Sequence, residues 1–230
     1  MSVFYDSYGR YKDYATPILK DKHVRRLDAE YWAPATCSPE LSYLEIGCGT
    51  GLMLSYLRRK GVDNLLGIDL DPKLKDVLPA EVKDCFRAVR VEDFLAAGAE
   101  GRTFDRVILF DVLEHFSAED GLRLLQRLST VLNPEARVTV KVPNTASPWG
   151  AQHQNGDLTH LTRFTPKSLR QLALAAGYDC VGCSPNLDGS ARRRATDRLL
   201  HGFLTWALLT PPEIWSANFY GVLRWPGCGD

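Results

Sequence analysis

The stretch Leu44-Glu-Ile-Gly-Cys-Gly-Thr-Gly51 decides the fold, because a short apolar run ends there in closely spaced glycines. The apolar run predicts a buried strand, and the apolar residues spaced through 52–60 predict a helix directly after the glycines. Glycines at positions 47, 49 and 51 let the backbone turn tightly and let a ligand approach its amide groups. The N-terminus of the helix also favours negative charge. We therefore expect a ligand site where the first strand ends.

Strand-length apolar runs and helical periodicity alternate along most of the chain, which is typical of a parallel α/β sheet. The predicted strands are 42–46, 64–68, 85–89, 104–110, 137–142, 178–183 and 218–225. The clearest predicted helices are 52–60, 118–132 and 166–176. Because parallel strands end at one edge of a sheet, residues that follow different strands are expected to meet in a common crevice.

The glycine spacing argues against a dinucleotide loop. The dinucleotide fingerprint is G-x-G-x-x-G, whereas the third glycine here comes one residue early and the acidic Glu45 precedes the first. The second strand is followed by Asp69, whose carboxylate is suited to accept hydrogen bonds from ribose hydroxyls. After the third strand, Asp93 offers an acceptor to an adenine amine and Phe94 offers a ring face. These groups suit a nucleoside that carries an amino acid.

Four segments in this order resemble a class I S-adenosylmethionine-dependent methyltransferase: LEIGCGTG at 44–51, GIDLD at 67–71, VEDF at 91–94 and FDRVILFDVLEHF at 104–116. The resemblance covers about residues 40–185. It implies an α/β, Rossmann-like three-layer sandwich, with a seven-stranded, mostly parallel sheet and an antiparallel last strand. It also implies S-adenosyl-L-methionine as the cofactor. The implied cofactor-binding residues are Glu45, Gly47, Cys48, Gly49, Gly51, Asp69, Leu70, Asp93, Phe94, Phe110, Asp111 and Val112.

The long segment after the fifth strand supplies candidates for the acceptor side, because it lies at the carboxyl edge of the sheet and exceeds a plain connector in length. Removing a proton from a hydroxyl requires a positioned base. We expect His160 to be that base, with Asp157 orienting it, and His115 as a competing catalytic residue. The predicted substrate-binding residues are Tyr5, Tyr8, Tyr14, Asn144, His153 and Arg163.

The acceptor class is predicted less directly than the cofactor. Families that methylate nucleic-acid bases carry an Asn/Asp-Pro-Pro-aromatic motif after the fourth strand, and residues 111–114 do not match it. Residues 156–166 are similar to methyltransferases of bacterial polysaccharide and glycolipid assembly, which implies O-methylation of a carbohydrate or glycolipid hydroxyl. The alternatives are a small aromatic or quinone-like acceptor, a dinucleotide-binding oxidoreductase, and a non-catalytic module that binds the cofactor.

Two regions lie outside the strand and helix alternation. Residues 1–36 are expected to form an N-terminal lid, because tyrosines at 5, 8, 11 and 14 could place ring faces over a cationic sulfur. The methyltransferase domain then spans 37–230, with a helical insert at 186–217 before the last strand. Arginines beside apolar residues within 191–209 suit peripheral contact with an anionic membrane, or a helical cover or oligomer contact.

Composition limits the partners and the compartment. The 28 Lys and Arg residues equal the 28 Asp and Glu residues, so no overall field attracts nucleic acid, and no nucleic-acid partner is expected. The amino terminus lacks a secretory pattern, which predicts a cytoplasmic protein, with the inner face of the membrane as a possible site. The six cysteines are expected to be free thiols. Only Cys180 and Cys183 are close in sequence, and without a second such pair no metal site is predicted.

Overall fold

The computed structural model describes residues 14–227. The strands are β1 Tyr43–Ile46, β2 Leu65–Asp69, β3 Phe86–Ala88, β4 Phe104–Phe110, β5 Leu132–Pro143, β6 Asp179–Pro185 and β7 Asn218–Arg224. The α-helices are α1 Asp21–Leu27, α2 Leu52–Arg59, α3 Leu74–Val77, α4 Val91–Ala96, α5 Ala118–Leu128, α6 Ala151–Asn155, α7 Pro166–Ala175 and α8 Ala191–Ala207. Short 3-10 or π-helical turns, of which Leu113–His115 is one, lie between them.

The seven strands form one sheet in the order β3-β2-β1-β4-β5-β7-β6. Strands β1 to β5 pair in parallel, and β7 pairs antiparallel with both β5 and β6. One core cluster joins α4, α5 and α7 to the sheet, and a second includes residues of α1 and α2. The expected Rossmann-like sandwich with an antiparallel last strand is therefore confirmed.

The structure corrects two element bounds. Strand β5 begins at Leu132 rather than at 137, because the chain continues in the sheet past an irregularity in its pairing with β4, where Glu135 has φ +65°. Pro134 and the polar Glu135 conceal this extension in the sequence. Helix α5 ends at Leu128, and a 3-10 turn occupies Ser129–Val131, so the helix predicted at 118–132 was too long.

A bulge in β6 brings the two cysteines of this strand together. Residues three apart in a regular strand point to opposite faces. The pairing between β6 and β7 shifts between Cys180 and Gly182, and the two Sγ atoms of Cys180 and Cys183 lie 4.0 Å apart. The irregularity therefore brings the two thiols to one side of the strand.

The insert contains α8, none of whose side chains is buried. At its beginning, the side chain of Asn186 and the backbone N–H of Leu187 donate to the Glu30 carboxylate at 2.9 and 2.7 Å. Farther along, the His201 ring stacks on Trp215 and accepts a hydrogen bond from the indole of Trp149. The insert is thus attached both to the N-terminal segment and to the loop after β5. Within residues 14–227, no helix is long and apolar enough to span a bilayer.

Candidate active site

The glycine loop connects β1 to α2 in a conformation that depends on its glycines. Gly47, Gly49 and Gly51 have φ values of +71°, +51° and +82°, a region that other residues enter only with strain. A Cβ added at Gly47 would lie 2.4 Å from Val112 Cγ2, which shows that the tip of β4 packs directly on the loop. A Cβ at Gly49 would meet no atom of the described residues within 4 Å. The loop therefore presents its backbone at Gly49 to an open space.

Glu45 is buried beneath this loop at the end of β1. Its side chain is 4% exposed, and its Oε2 atom has no hydrogen-bond partner among the described residues. Burial, together with the nearby Asp69 carboxylate, raises the pKa of Glu45 well above its usual range. A buried polar atom without a partner is costly, and a polar ligand group in the crevice would compensate it. Glu45 thus fits the expected place of a cofactor that carries an amino acid.

Asp69 connects the second strand to the glycine loop. Its Oδ2 accepts a hydrogen bond from the Gly49 N–H at 3.0 Å, and its Oδ1 accepts from the Asp71 N–H at 3.2 Å. A carboxylate has about four acceptor sites, so capacity remains for ribose hydroxyls. Burial raises the pKa of Asp69 although the backbone N–H groups oppose the shift. Leu70, which follows it, is half-exposed at the same edge.

Of the predicted lid tyrosines, only Tyr14 falls within the described residues. Burial first, and then the charges of Asp69 and Asp71, raise the pKa of Tyr14 to about 12. Tyr14 therefore lies beside the acidic end of β2, where the ribose is expected. Tyr5 and Tyr8 lie outside the described residues.

The expected adenine ligands divide into one exposed and one buried residue. Asp93 is exposed in the first turn of α4. Phe94 is only 3% exposed and belongs to the core between the helix and the sheet. The expectation that the Phe94 ring lies on adenine is therefore wrong for this conformation, because the ring packs on the sheet and presents almost no surface to a ligand.

The tip of β4 forms the wall between the glycine loop and the acceptor side. The Phe110 ring contacts the Tyr31 and Tyr220 rings edge-on at 5.8 and 5.3 Å. Asp111 has φ +56°, which is unusual for a residue with a side chain. Its carboxylate pairs with Lys141 Nζ of β5 at 2.6 Å. Sequence reasoning missed Lys141, which lies within a strand and has no motif around it.

A cavity of about 360 Å³ opens beside this wall. Most of its lining residues are charged or polar, and they are Asp111, Glu114, His115, Lys141, Pro143, Gln152, His153, Gly156, Asp157, His160 and Asn218. The three predicted catalytic residues, and His153 with them, therefore meet in one place.

The hydrogen bonds of His115 and His160 set the tautomers of both rings. Thr159 Oγ1 donates to Asp157 Oδ1 at 2.6 Å and lies 2.9 Å from His115 Nδ1. Because the single hydroxyl proton goes to the carboxylate, His115 Nδ1 is the donor to Thr159. Asp157 thus contacts His115 through Thr159, and the orientation of His160 by Asp157 stays a prediction. His160 Nδ1 lies 3.1 Å from the Gln154 carbonyl, which only accepts, so His160 is also protonated at Nδ1.

Glu114 is a further cavity residue that sequence reasoning did not assign to the site. It is fully buried, and neither carboxylate oxygen has a hydrogen-bond partner in the described part of the chain. Burial first, and the Asp111 charge second, raise the pKa of Glu114 to about 8. One signal was present in the sequence, since an acidic residue precedes His115 in an otherwise apolar segment.

Two predicted substrate-binding residues have other positions. Asn144 is fully buried, and its Nδ2 donates to the carbonyls of Ile214 and Ser216, so it attaches the end of the insert to β5. Arg163 is exposed and lies outside the cavity lining. The substrate role expected for Asn144 is therefore wrong, and the structure does not bring Arg163 to the cavity.

Comparison with known proteins agrees with this geometry. Residues 16–182 match the family described as "Methyltransferase domain". A ubiquinone biosynthesis O-methyltransferase of Xanthomonas campestris is 35% identical over 114 residues, which are 47% of this chain and 45% of that protein, so the chain matches about half of its length.

Solved structures show the same fold at low identity. A SAM-dependent methyltransferase from Archaeoglobus fulgidus has a TM-score of 0.64 at 17% identity, covering 96% of this chain and 99% of the other. The N-methyltransferase NodS from Bradyrhizobium japonicum, in complex with S-adenosyl-l-homocysteine, has a TM-score of 0.64 at 14% identity, covering 98% and 100%. Together with the family match over most of its length, this shows that the chain belongs to the methyltransferase-domain family and contains an S-adenosylmethionine-dependent methyltransferase domain.

Proposed function

We propose that this domain transfers a methyl group from S-adenosylmethionine to a hydroxyl oxygen of an acceptor held in the cavity beside β4. The observation that supports this proposal most strongly is the cavity itself. It shares Asp111 with the tip of β4, and the next residue, Val112, packs on the glycine loop. A hydroxyl in the cavity would therefore lie close to the cofactor crevice, as an in-line displacement requires.

The chain's own residues divide between holding the cofactor and preparing the acceptor. S-adenosylmethionine, when bound, supplies a methyl group on a positively charged sulfur. The glycine loop and Glu45 would hold its amino-acid part, Asp69 would hold the ribose, and Asp93 would accept from the adenine amine. In their neutral forms, His115 and His160 carry the ring proton at Nδ1, which leaves Nε2 as the atom that would accept a proton from a hydroxyl.

A carbohydrate hydroxyl is the acceptor that the cavity favours. Pro143 is the one side chain among the described lining residues that is wholly apolar, whereas a flat aromatic ring needs apolar surface around it. A phenol of a quinone-like compound is the second candidate, because the similar proteins include ubiquinone biosynthesis O-methyltransferases. NodS is an N-methyltransferase of the same fold, so the fold alone does not choose the acceptor.

The peripheral segments complete the proposal. Tyr14 lies beside Asp69, which supports a role for residues 1–36 in covering the cofactor. Helix α8 carries Arg192, Arg193 and Arg194 in its first turn, and Trp206 farther along is 81% exposed. This combination of cations and exposed apolar surface supports contact with an anionic membrane or a glycolipid acceptor. For a cytoplasmic protein, that contact would be at the inner face of the membrane.

Methyl transfer to defined acceptors tests the proposal. Purified protein is incubated with methyl-labelled S-adenosylmethionine and a panel of nucleotide sugars, lipid-linked sugars and catechols, and the products are identified by mass spectrometry. For an active acceptor, His160→Ala is expected to lower turnover by about 10²–10⁴ while S-adenosylhomocysteine affinity stays unchanged. The control is His23→Ala, because His23 lies in α1 and does not line the cavity. Unchanged turnover in His160→Ala would remove this residue from the mechanism, and methylation at nitrogen or carbon would overturn the hydroxyl assignment.

A further inference from the structure

We propose that Glu114, His115 and His160 bind one divalent transition-metal ion in the cavity beside β4. Each of the three residues offers one ligand atom, and these atoms all lie within 4.8 Å of one another. The donors come from two separate segments of the chain, which explains why no motif in the sequence predicted them. The site goes beyond the proposed function, since metal binding is measurable without any acceptor.

The hydrogen bonds of both histidines orient a nitrogen lone pair for coordination. Ligating histidines characteristically donate their other ring N–H to a carboxylate or a backbone carbonyl, which sets the tautomer and the ring orientation. His160 Nδ1 donates to the Gln154 carbonyl at 3.1 Å. His115 Nδ1 donates to Thr159, which in turn donates to Asp157. Both rings therefore carry their lone pair at Nε2, and their centroids lie 4.7 Å apart.

Glu114 supplies the independent observation that indicates a cation. Its carboxylate is fully buried, and neither oxygen finds a hydrogen bond among residues 14–227. An isolated buried carboxylate is costly to charge, and a coordinated cation would compensate that cost. The Glu114 carbonyl accepts hydrogen bonds from the N–H groups of Leu161 and Thr162 at 2.8 and 3.1 Å. These bonds hold the loop that carries His160 against Glu114, so the three donors are positioned together by the backbone.

The donor set and its spacing select the class of ion. Two imidazoles and one carboxylate suit manganese, iron(II), cobalt or zinc rather than magnesium or calcium, which prefer oxygen ligands. With bonds of about 2.0–2.2 Å, two ligands of one tetrahedral ion lie about 3.3–3.6 Å apart, so the three atoms would move toward one another by up to about 1–1.5 Å on binding. Asp111 lies in the same cavity and adds negative charge, although Lys141 pairs with it.

The ion would give the cavity a second means of activating an acceptor. Three protein ligands leave coordination positions open toward the cavity, where a hydroxyl oxygen could bind. A divalent cation withdraws electron density from such an oxygen and lowers the pKa of its proton. In the metal-bound protein, His115 and His160 would be ligands, and the coordinated hydroxyl would pass its proton to solvent water at the open side of the cavity rather than to an imidazole.

Mn²⁺ binding, measured by electron paramagnetic resonance and by calorimetry, tests the site. Mn²⁺ is chosen because the thiols of Cys180 and Cys183 compete less for it than for zinc. The wild-type chain is expected to bind one Mn²⁺. Glu114→Gln and His160→Asn should each weaken binding by more than about tenfold, and Thr159→Val, which removes the support of His115, by about 10–100-fold. His153→Ala is the matched control, because this residue lines the same cavity outside the cluster.

The outcomes separate this site from the proposed function. Absence of Mn²⁺ binding up to 1 mM (about 4 kcal/mol of binding free energy) in a wild-type chain that still binds S-adenosylhomocysteine would overturn the metal site. So would equal affinity in wild type, Glu114→Gln and His160→Asn, with folding checked by circular dichroism. Stoichiometric binding that Glu114→Gln, His160→Asn and Thr159→Val weaken, and that His153→Ala leaves unchanged, would support it. Mn²⁺ binding without methyl transfer to any hydroxyl would leave the site in place and count against the proposed function alone.

Discussion

Two glycines in the same loop are expected to respond differently to alanine. Gly47 has φ +71°, and its added Cβ would lie 2.4 Å from Val112 Cγ2. The left-handed backbone costs about 1–2 kcal/mol for a residue with a side chain, and overpacking against a stiff β-branched neighbour costs about 1–3 kcal/mol more. Gly47→Ala should therefore lower the free energy of unfolding by about 2–5 kcal/mol.

Gly49→Ala is the matched comparison. Its φ of +51° imposes a similar backbone cost of about 1–2 kcal/mol, but the new methyl group meets no atom of the described residues within 4 Å. The methyl group would instead occupy the open space where the cofactor is expected. We therefore expect Gly49→Ala to lose less stability than Gly47→Ala but to weaken S-adenosylhomocysteine binding at least about tenfold, which is about 1.4 kcal/mol.

Urea denaturation and calorimetric titration of both variants measure these two effects. The expected pattern is a larger loss of stability in Gly47→Ala and a larger loss of affinity per folded molecule in Gly49→Ala. Wild-type affinity in Gly49→Ala would refute the assignment of the open space to the cofactor. Equal losses of stability in the two variants would refute the packing of Val112 on the loop.

Two further predictions concern Asp69 and Cys180. Asp69→Asn should weaken S-adenosylhomocysteine binding by about 1.5–3 kcal/mol, because a charged acceptor is lost. Asp71→Asn is the control, because it removes the same charge from a residue that makes no bond to the glycine loop. It should weaken binding less in the same titration. The hydrogen bond from the Cys183 thiol, assisted by the charge of Arg170, lowers the pKa of Cys180 to about 7 despite partial burial. Because the thiolate is the reactive form, alkylation of Cys180 followed by mass spectrometry should accelerate as pH rises through 7, while the buried Cys48, whose pKa is raised by burial, should stay unreactive. A Cys180 rate that rises only above pH 8, or that is unchanged by Cys183→Ala, would contradict this explanation.

The convergence of the residues proposed to hold the cofactor was predictable because its signals are local in the sequence. Glu45 and Asp69 lie at the ends of β1 and β2, Gly47 and Gly49 follow β1, and the parallel pairing of β1 with β2 brings them together. The role of Phe94 was mispredicted because successive residues of a helix point in different directions, so Phe94 does not face the same side as Asp93. The Phe94 ring lies on the side of α4 that packs in the core, whereas Asp93 is exposed.

The acceptor half depends on contacts between distant segments, which residue spacing does not reveal. Glu114 joins the site only because its carbonyl binds the backbone of Leu161 and Thr162. Asp157 also reaches His115, because the Thr159 hydroxyl lies between the two side chains. Asn144 has a polar side chain that could bind a substrate, yet its Nδ2 donates to backbone carbonyls at the end of the insert. In each case the partner is set by tertiary packing, so the sequence identified the segment but not the role.

The glycine loop and Asp69 are proposed to form an S-adenosylmethionine site rather than a dinucleotide site. Parallel calorimetric titration of the wild-type chain with S-adenosylhomocysteine and with NAD⁺ distinguishes the two. We expect one bound S-adenosylhomocysteine per chain and no detectable NAD⁺ binding. Tight NAD⁺ binding without S-adenosylhomocysteine binding would contradict it.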